Sequence, residues 1–294
     1  MKRKRNFRPL PLVLLSAIVA LSLLAQRLHP DASADSSSTA ASGEVGTNGD
    51  ADRAASSGVG ANENGADIGL CAPIADRPEE MLRHGRFTVS YNAQTACPNY
   101  VSWSLTAAQT SGHVRRDGAD FLPDPLLAPE KQVTTDDYRG SGFDRGHMCP
   151  AADNRYDGRA MTECFYMSNI CPQDHALNAG AWATLEKACR RWAVQEDSII
   201  VVCGPIFDEQ PATIGRAHRI SVPCGFFKCI LSLRAGAEKA IGFVYTNTAE
   251  RQSLDRAATS VDEVERLTKM DFFAALPDSL ERRLEARYSL KAWH

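Results

Sequence analysis

An acid, a guanidinium and an imidazole fall within four consecutive positions of this 294-residue chain, in the run DRGH. Asp144, Arg145 and His147 belong to a longer stretch, SGFDRGHMCPAADN, whose two glycines allow close backbone approach and unusual dihedral angles. A neutral imidazole has an unperturbed pKa of about 6.5 and can act as a general base at neutral pH. A lone histidine beside glycines is more often a structural hydrogen-bonding group, so the interpretation depends on its surroundings.

A second group of polar side chains lies about thirty residues further on, in HALNAGAWATLEKACRR. Glu186 and Arg190 follow Asn178 by eight and twelve residues, so on a helix the three lie within about 120° of one another. Amide and carboxylate oxygens can hold a hydrated hard cation such as Mg²⁺, which needs few protein ligands. The alternatives are a helix cap at Asn178 and a surface pair between Glu186 and Arg190. Spacing alone leaves both open.

The region around these side chains is predicted to form regular structure. Apolar residues recur at helical spacing over about residues 176–194, which predicts a helix there. Its predicted buried face comprises Leu185, Ala188, Cys189 and Trp192. β-Branched and aromatic residues on either side of a polar connection predict a hairpin over residues 86–106.

The C-terminal part combines short strands with a helix. Three β-rich runs are bounded by Gly, Pro and Asn: SIIVVCGPIF, HRISVPCGFFKCILSL and KAIGFVYTN. In SVDEVERLTKMDFFAAL, Ser260 is the predicted N-cap of a helix and Glu263 completes a capping box. Without internal repeats, this order predicts an α+β domain with a mainly antiparallel central sheet.

The first 67 residues differ in composition from the rest and divide the chain into three parts. Residues 1–29 join a cationic start, MKRKRNFR, to an uncharged apolar run, which predicts an export signal or a retained membrane anchor. Residues 30–67 are rich in Ala, Ser, Gly, Asp and Asn without an aromatic residue, and predict a disordered tether. A folded domain is expected over residues 68–294, in a protein that is secreted, periplasmic or anchored outside the cytoplasm.

The formal net charge is −3 for the whole chain, and also −3 for residues 68–294, because the basic leader and the acidic tether cancel. Proteins that hold nucleic acid through sequence-independent phosphate contacts usually carry a strong basic excess. Positive charge used in that way must therefore be local, and the contact with a nucleic acid brief.

All nine cysteines lie in the expected domain, and behind an export signal this number predicts disulfide bonds with at least one cysteine left over. Zinc is the competing interpretation for Cys149, Cys164, Cys171 and His175, which cluster in the sequence and include a Cys-x3-His spacing. No Cys-x2-Cys knuckle accompanies them. Disulfides are therefore favoured over a zinc site.

DYRGSGFDRGH followed by SNICPQDHALNAGAWATLE closely resembles the DNA/RNA non-specific endonucleases, whose hallmark is a DRGH motif and a downstream helix that bears an asparagine. The resemblance extends from about Phe87 to Leu284, with similar segments at VVCGPIF, AIGFVYTN and VDEVERLTKMDFFAAL. It implies a ββα-metal nuclease fold with helices flanking the central sheet. It also implies hydrolysis of phosphodiester bonds in DNA and RNA, with one Mg²⁺ or Mn²⁺ ion and products that carry a 5′ phosphate.

The resemblance also assigns expected roles residue by residue. His147 is the expected general base, Asn178 the metal-binding amide, and Glu186 a carboxylate that orients water at the metal. Arg190 is expected to act on the phosphate side, and Asn169, in SNI, matches an asparagine that supports the site.

Two further arginines complete the expected site. The family has an upstream arginine that stabilises the transition state, and HVRRDGAD offers both Arg115 and Arg116; we favour Arg116. Arg145 of the DRGH run is expected to bind substrate.

A different class of function stays open at this point: an exported, surface-tethered protein that binds nucleic acid without cleaving it. It would attach to the membrane through the N-terminal apolar segment. His147 and Asn178 argue against it, because binding alone requires neither. The sequence points to no protein partner and leaves the oligomeric state open.

Overall fold

A computed structural model describes residues 68–116 and 118–294, which hold almost all of the expected domain. The predicted leader, anchor and tether, residues 1–67, lie outside the described residues. Within the described part, no helix combines the length and the apolar character needed to cross a bilayer.

The strands of the described residues form one large sheet and two small ribbons. The large sheet has the order β1-β2-β3-β6-β9-β10-β11, and every neighbouring pair in it is antiparallel. The small ribbons pair β4 with β5 and β7 with β8. The strands are β1 Glu80–Arg83, β2 Thr88–Asn92, β3 Cys97–Thr106, β4 Asp144–His147, β5 Ile170–Gln173, β6 Ser198–Ile206, β7 Thr213–Ile214, β8 Ile220–Ser221, β9 Gly225–Ser232, β10 Lys239–Thr246 and β11 Ala258–Thr259.

Helices of the described residues are mostly short. The α-helices are α1 Thr135–Tyr138, α2 Gly158–Glu163, α3 Ala183–Glu196, α4 Leu254–Ala257, α5 Val261–Thr268 and α6 Asp278–Glu285. A π-helical turn, Leu177–Trp182, leads directly into α3. Single 3₁₀ turns occupy Ala108–Ser111, Pro129–Lys131, Ala151–Asp153, Met167–Asn169 and Leu290–Trp293.

The sheet is buried on both faces. Along β6, Val201 and Cys203 pack into one apolar cluster, while Ile200 and Val202 pack into another. Successive residues of a strand point to opposite faces, so the two clusters lie on opposite sides of the sheet. Helix α3 covers the first side, and α5 and α6 cover the second. The predicted α+β architecture with a mainly antiparallel sheet is confirmed.

The predicted hairpin and the central helix are both present, with one difference. Strands β2 and β3 form the hairpin, and the predicted helical face is at most 1% exposed. The predicted helix over 176–194, however, begins with the π turn and changes to α geometry only at Ala183. The C-terminal helix differs too. Ser260 accepts from the backbone of Glu263 at 3.2 Å, but the Glu263 carboxylate pairs with Arg266 instead of completing a capping box.

Strands β4 and β5 together with the following helical segment form a ββα unit. Gly146 faces Gln173 so closely that an added Cβ would lie 2.2 Å from the Gln173 side chain. Gly142, in the loop before β4, has a φ of 86°, which L side chains rarely adopt. Gly146 thus permits the close approach of β4 to Gln173, and Gly142 permits the left-handed backbone of the loop before β4.

The nine cysteines are all free thiols, so the predicted disulfides are absent from the structure. Seven of them are buried, where cysteine packs as a small apolar side chain. Cys149, Cys164 and Cys171 belong to the apolar cluster on the ββα side of the sheet. Packing in the apolar core thus accounts for the high number of cysteines, from which the sequence had predicted disulfide bonds.

Candidate active site

His147 is the last residue of β4, and its backbone is fixed from two sides. Its strand neighbour is Ile170 of β5, and the next residue, Met148, donates its N–H to the Asn169 carbonyl at 3.0 Å. The Trp182 indole donates to the His147 carbonyl at 3.2 Å. The ββα unit therefore places this imidazole relative to both a strand and the helix entrance.

Two phenylalanines flank the imidazole. Its centroid lies 4.8 Å from Phe165, edge to face, and 5.4 Å from Phe121. Its Nε2 atom is buried and receives no hydrogen bond from the described residues. Burial, with a contribution from the charge of Arg116, lowers the pKa of His147 to about 3. The ring is therefore neutral throughout the physiological pH range.

The same phenylalanines carry two guanidinium groups. Arg116 lies over Phe165 at 5.1 Å, and Arg145 lies over Phe121 at 4.6 Å, both distances being from the guanidinium carbon to the ring centroid. Both arginines are exposed at the surface. Cation–π contacts of this kind hold an arginine in place while leaving its N–H donors available. The result is a local positive rim around His147.

Asn178 lies in the π turn and is joined to the DRGH run. Its amide nitrogen donates to an Asp144 carboxylate oxygen at 2.9 Å, and that oxygen also pairs with His175 Nδ1 at 2.9 Å. Burial opposes ionisation of Asp144, but the hydrogen bonds from Asn178 and His175 outweigh it and lower its pKa. Asp144 thereby orients the amide, and no described residue donates to the amide oxygen of Asn178.

Glu186 and Arg190 lie one turn apart on α3 and have different surroundings. Burial raises the pKa of Glu186 to about 7, against the opposing charges of Lys228 and Arg190. Arg190 makes an ion pair of 2.7 Å with Asp153, a residue that is 3% exposed. The structure thus places Arg190 in a buried ion pair, a contact that by itself accounts for its position.

Asn169 lies behind the site and is fully buried. Its side-chain oxygen accepts from the Cys149 N–H at 2.9 Å, and its nitrogen donates to the carbonyls of Cys149 and Cys164 at 2.9 and 2.8 Å. These bonds tie the segment after His147 to the end of α2. Asn169 is a positioning residue in this arrangement.

The donor set fits a hard cation. Asn178 presents an amide oxygen whose own N–H group is already used, and Glu186 presents a half-buried carboxylate to which no described residue donates a hydrogen bond. Oxygen ligands of this type, few in number, match the preference of Mg²⁺ for retaining water. The zinc alternative fails, because Cys149, Cys164, Cys171 and His175 do not come together as a ligand group in the described residues.

Sequence reasoning missed several contributors to the site. The sequence marks Asp144 only as a neighbour of His147, and it gives no signal for Phe121 or Phe165. Lys228, 1% exposed, lies 4.4 Å from the Trp182 ring and 5.2 Å from the Trp103 ring. A lysine within an otherwise apolar strand run, CGFFKCIL, was the available signal for it.

A family model described as DNA/RNA non-specific endonuclease matches residues 73–279, which is more than half of the chain. The chain belongs to this family. Its ββα-metal fold is confirmed by a solved structure of the EndoG/EndoGI complex, to which the chain is 27% identical with a TM-score of 0.64. That similarity covers 69% of this chain and 89% of the matched chain.

Curated relatives agree with the family. Nuclease 1 of Schizosaccharomyces pombe is 31% identical over 74% of this chain and 71% of its own length. Human endonuclease G is 30% identical over 67% of this chain and 69% of its own length. Human nuclease EXOG is 32% identical over 64% of this chain, and the match spans only 55% of its own length. The relatives are named nucleases or endonucleases, and the chain is an endonuclease.

The prediction that the protein is exported is wrong. The relatives from S. pombe, cattle, human and Saccharomyces cerevisiae are named mitochondrial nucleases, which points to a mitochondrial location. A basic, acid-free leader is also typical of mitochondrial targeting segments, so the composition of residues 1–29 does not distinguish the two destinations. Without export, the compartment argument for disulfides is lost as well.

Proposed function

We propose that this endonuclease is metal-dependent, cleaves both DNA and RNA, and leaves 5′-phosphate ends, with His147 as the general base. One observation carries the proposal. A neutral imidazole lies between two aromatic rings that each hold an arginine, on the same ββα unit that holds Asn178. A base, cationic groups for phosphate and a hard-metal ligand are thus available within one supersecondary unit.

His147 would accept the proton of a water molecule as that water attacks the phosphorus in line with the departing 3′ oxygen. Its low pKa keeps the lone pair free at neutral pH but makes the ring a weak base in the free protein. The charge of Arg116 contributes to that low pKa. A substrate phosphate paired with Arg116 would offset this charge and raise the basicity of His147 when substrate is present.

Arg116 and Arg145 would bind the scissile phosphate and its neighbour. A guanidinium fork matches the oxygens of a phosphate group, and charge that develops in the transition state strengthens the contact. Because both arginines rest on aromatic rings, little freedom is lost when they bind.

Asn178 and Glu186 would hold the divalent ion, with Asp144 orienting the amide of Asn178. When bound, such an ion supplies Lewis-acid stabilisation of a phosphate oxygen and of the leaving group. Glu186 would also keep a water molecule oriented at the site. Arg190 would keep Asp153 neutralised below α3, and through that pair would help to define the position of Glu186.

Broad substrate use follows from this chemistry. Contacts to phosphate and metal read no base edge, so they do not distinguish sequences or sugars. A net charge of −3 with a local cationic rim limits retention on the polyanion, which suits an enzyme that must release its products.

The test uses the full-length protein, supercoiled plasmid and a structured RNA, each with Mg²⁺, with Mn²⁺ and with excess chelator. Both substrates should be cut when either ion is present, cleavage should stop in chelator, and the ends should accept ligation without prior phosphorylation. Retarded migration of intact plasmid under all conditions would instead indicate binding without cleavage. Undiminished cleavage in chelator would contradict the metal requirement.

A further inference from the structure

Three carboxylates meet on the side of the sheet opposite the ββα unit. Asp262 and Glu265 lie on α5, three residues apart and hence on one helical face, and Glu285 is the last residue of α6. One carboxylate oxygen from each lies within 4.8 Å of the others. The apolar residues of α5 and α6 belong to the second core cluster, so this group is separated from His147 by the sheet.

Glu285 is the unusual member of the group. It is 4% exposed, and its Oε1 atom is buried without a hydrogen-bond partner in the described residues. A buried carboxylate at a helix C-terminus also faces the negative end of the helix dipole. A buried charge normally has a partner of opposite sign, because the cost of removing it from water is high.

Neighbouring acidic groups make the ionised form of Glu285 less favourable still. Burial, and then Glu265, Glu281, Asp262 and Asp271, raise the pKa of Glu285 to about 9. Burial, together with Asp271, Asp262 and Glu281, raises the pKa of Glu265 to about 7, although the Phe272 N–H donates to it. The three carboxylates thus face one another, with no cationic side chain of the described residues among the charges that act most strongly on Glu265 and Glu285.

The ligand type indicates a hard cation, and the spacing allows one ion to reach all three carboxylates. Calcium binds oxygen at about 2.3–2.6 Å, so two ligands on opposite sides of one ion are up to about 5 Å apart. A separation of 4.8 Å or less therefore allows all three carboxylates to reach a single ion. Calcium accepts an irregular set of oxygen ligands, whereas magnesium demands a near-ideal octahedron, and no thiol or imidazole is present in the group to favour a transition metal.

We propose that Asp262, Glu265 and Glu285 bind a calcium-like divalent cation that joins α5 to α6. This site is distinct from the proposed active site, and an ion bound there would affect stability instead of cleavage. By replacing protons on the buried carboxylates and bridging the two helices, the ion would stabilise the second layer of helices against the sheet. Calcium would then raise the stability of the protein without taking part in cleavage.

The test measures the melting temperature of the full-length protein in chelator and in a calcium titration. All proteins carry Asn178→Ala, so that the proposed catalytic ligand does not contribute. In this background calcium at ten times its dissociation constant should raise the melting temperature by about 3 to 6 °C. Adding Glu285→Gln or Asp262→Asn should abolish the rise, while Glu263→Gln, a carboxylate on the same helix that pairs with Arg266, should preserve it.

Asp262 is exposed, so Asp262→Asn leaves the core intact and gives a result even if Glu285→Gln fails to fold. An unchanged melting temperature in calcium would overturn the proposal. So would an equal rise in the Asn178→Ala protein with and without Asp262→Asn. Either result leaves the proposed nuclease function untouched, because that function is read out by plasmid cleavage.

Discussion

At the scale of single residues, the candidate site contains groups that we propose act on the substrate and groups that hold the backbone behind them. Arg116 and Arg145 are exposed and lie over the two aromatic rings that flank His147, whose Nε2 has no hydrogen-bond partner among the described residues. Asn169 presents none, because its amide is fully buried and uses three hydrogen bonds to the backbone. Loss of Asn169 should therefore act through stability, and loss of His147 through chemistry.

Asn169→Ala should lower the free energy of unfolding by about 3 kcal/mol, since it leaves one N–H and two carbonyls buried without partners. For a domain of this size the melting temperature should fall by about 6 to 12 °C. Thermal unfolding of the variant measures the effect directly. Asn178→Ala is the matched control, and a fall of similar size in that variant would refute the distinction between the two asparagines.

The positions of the motif residues are the part of the candidate site that the sequence supplies most directly. The DRGH run and the asparagine helix can be read directly, because each uses neighbouring positions. The pairing of Asn178 with Asp144 joins positions 34 residues apart, and the contact of Arg116 with Phe165 joins an irregular loop to the end of α2. Such contacts depend on how segments pack, so spacing within one segment carries no signal for them.

At the scale of elements, the π turn decides how the helix meets the motif. Asn178 near its start bonds Asp144, and Trp182 at its end bonds the His147 carbonyl. Each residue of a helix turns the chain by about 100°. Both contacts can therefore form only if the number of residues between Asn178 and Trp182 is unchanged. The apolar periodicity of residues 176–194 predicted the helix but not the π geometry, because the four residues that define the predicted face, from Leu185 to Trp192, all lie beyond the turn.

Deleting Gly180 should convert the π turn towards a regular helix and break the relative orientation of Asn178 and Trp182. Plasmid cleavage should fall by about two orders of magnitude or more, the scale expected when catalytic groups are misplaced. Gly180→Ala is the control, because a Cβ at this position meets no atom within 4 Å. Full activity after the deletion would show that the π geometry has no functional importance.

A second element depends on one buried carboxylate. Asp137, in the single turn α1, accepts from the backbone of Arg216, Ala217 and His218 at 2.8 to 3.1 Å and from His218 Nδ1 at 2.9 Å. Burial opposes its ionisation, but the hydrogen bonds from His218, Ala217 and Thr134 outweigh burial and hold the pKa of Asp137 well below its usual value. The carboxylate thereby ties α1 to the loop before β8.

A lowered native pKa stabilises the fold above the unfolded value of about 3.9, and the contribution is lost as the pH falls through the native pKa. Asp137→Asn should therefore cost about 2 to 4 kcal/mol at pH 7, and the difference from the unaltered protein should shrink steadily below pH 4. Urea unfolding at pH 7, pH 3.5 and about pH 2 provides the measurement. A difference that stays constant down to the lowest pH, or grows there, contradicts the assigned ionisation.

At the scale of the whole molecule, three layers leave little room for exposed thiols. Only Cys71 and Cys224 are half-buried, while the other seven cysteines are buried in the two cores. Burial is the main cause of a raised pKa at most of them, reaching about 12 at Cys189 and Cys203. A thiol that is both shielded and protonated reacts slowly, since the thiolate is the nucleophile.

Titration with a thiol reagent should accordingly find at most two reactive cysteines in the native protein and nine in denaturant without reductant. The native count should not change when reductant is removed beforehand. If protein isolated from its own compartment shows well below nine reactive thiols in denaturant, some of its cysteines form disulfides, contrary to the structure.

The layered architecture itself could be predicted from the sequence, and the protein's cellular destination could not. Short continuous runs of apolar and β-branched residues, bounded by Gly, Pro and Asn, predict strands that are buried on both faces. A targeting segment is read by the machinery of the cell, and the basic and apolar composition of residues 1–29 is shared by segments with different destinations. Cysteine usage was then misread, because its meaning depends on that destination.

The central claim is that His147 carries out a proton transfer while Asn178 holds the metal, and one paired measurement tests it most directly. Plasmid cleavage by His147→Ala and by Asn178→Ala is followed across a wide range of Mg²⁺ concentration. His147→Ala should lose about two to four orders of magnitude in rate at every concentration, because no metal replaces a missing base. Asn178→Ala should be slow at low Mg²⁺ and recover in part at high Mg²⁺, because a missing ligand weakens metal binding. Near-normal cleavage by His147→Ala, or its rescue by Mg²⁺ to the same extent as Asn178→Ala, would contradict the account.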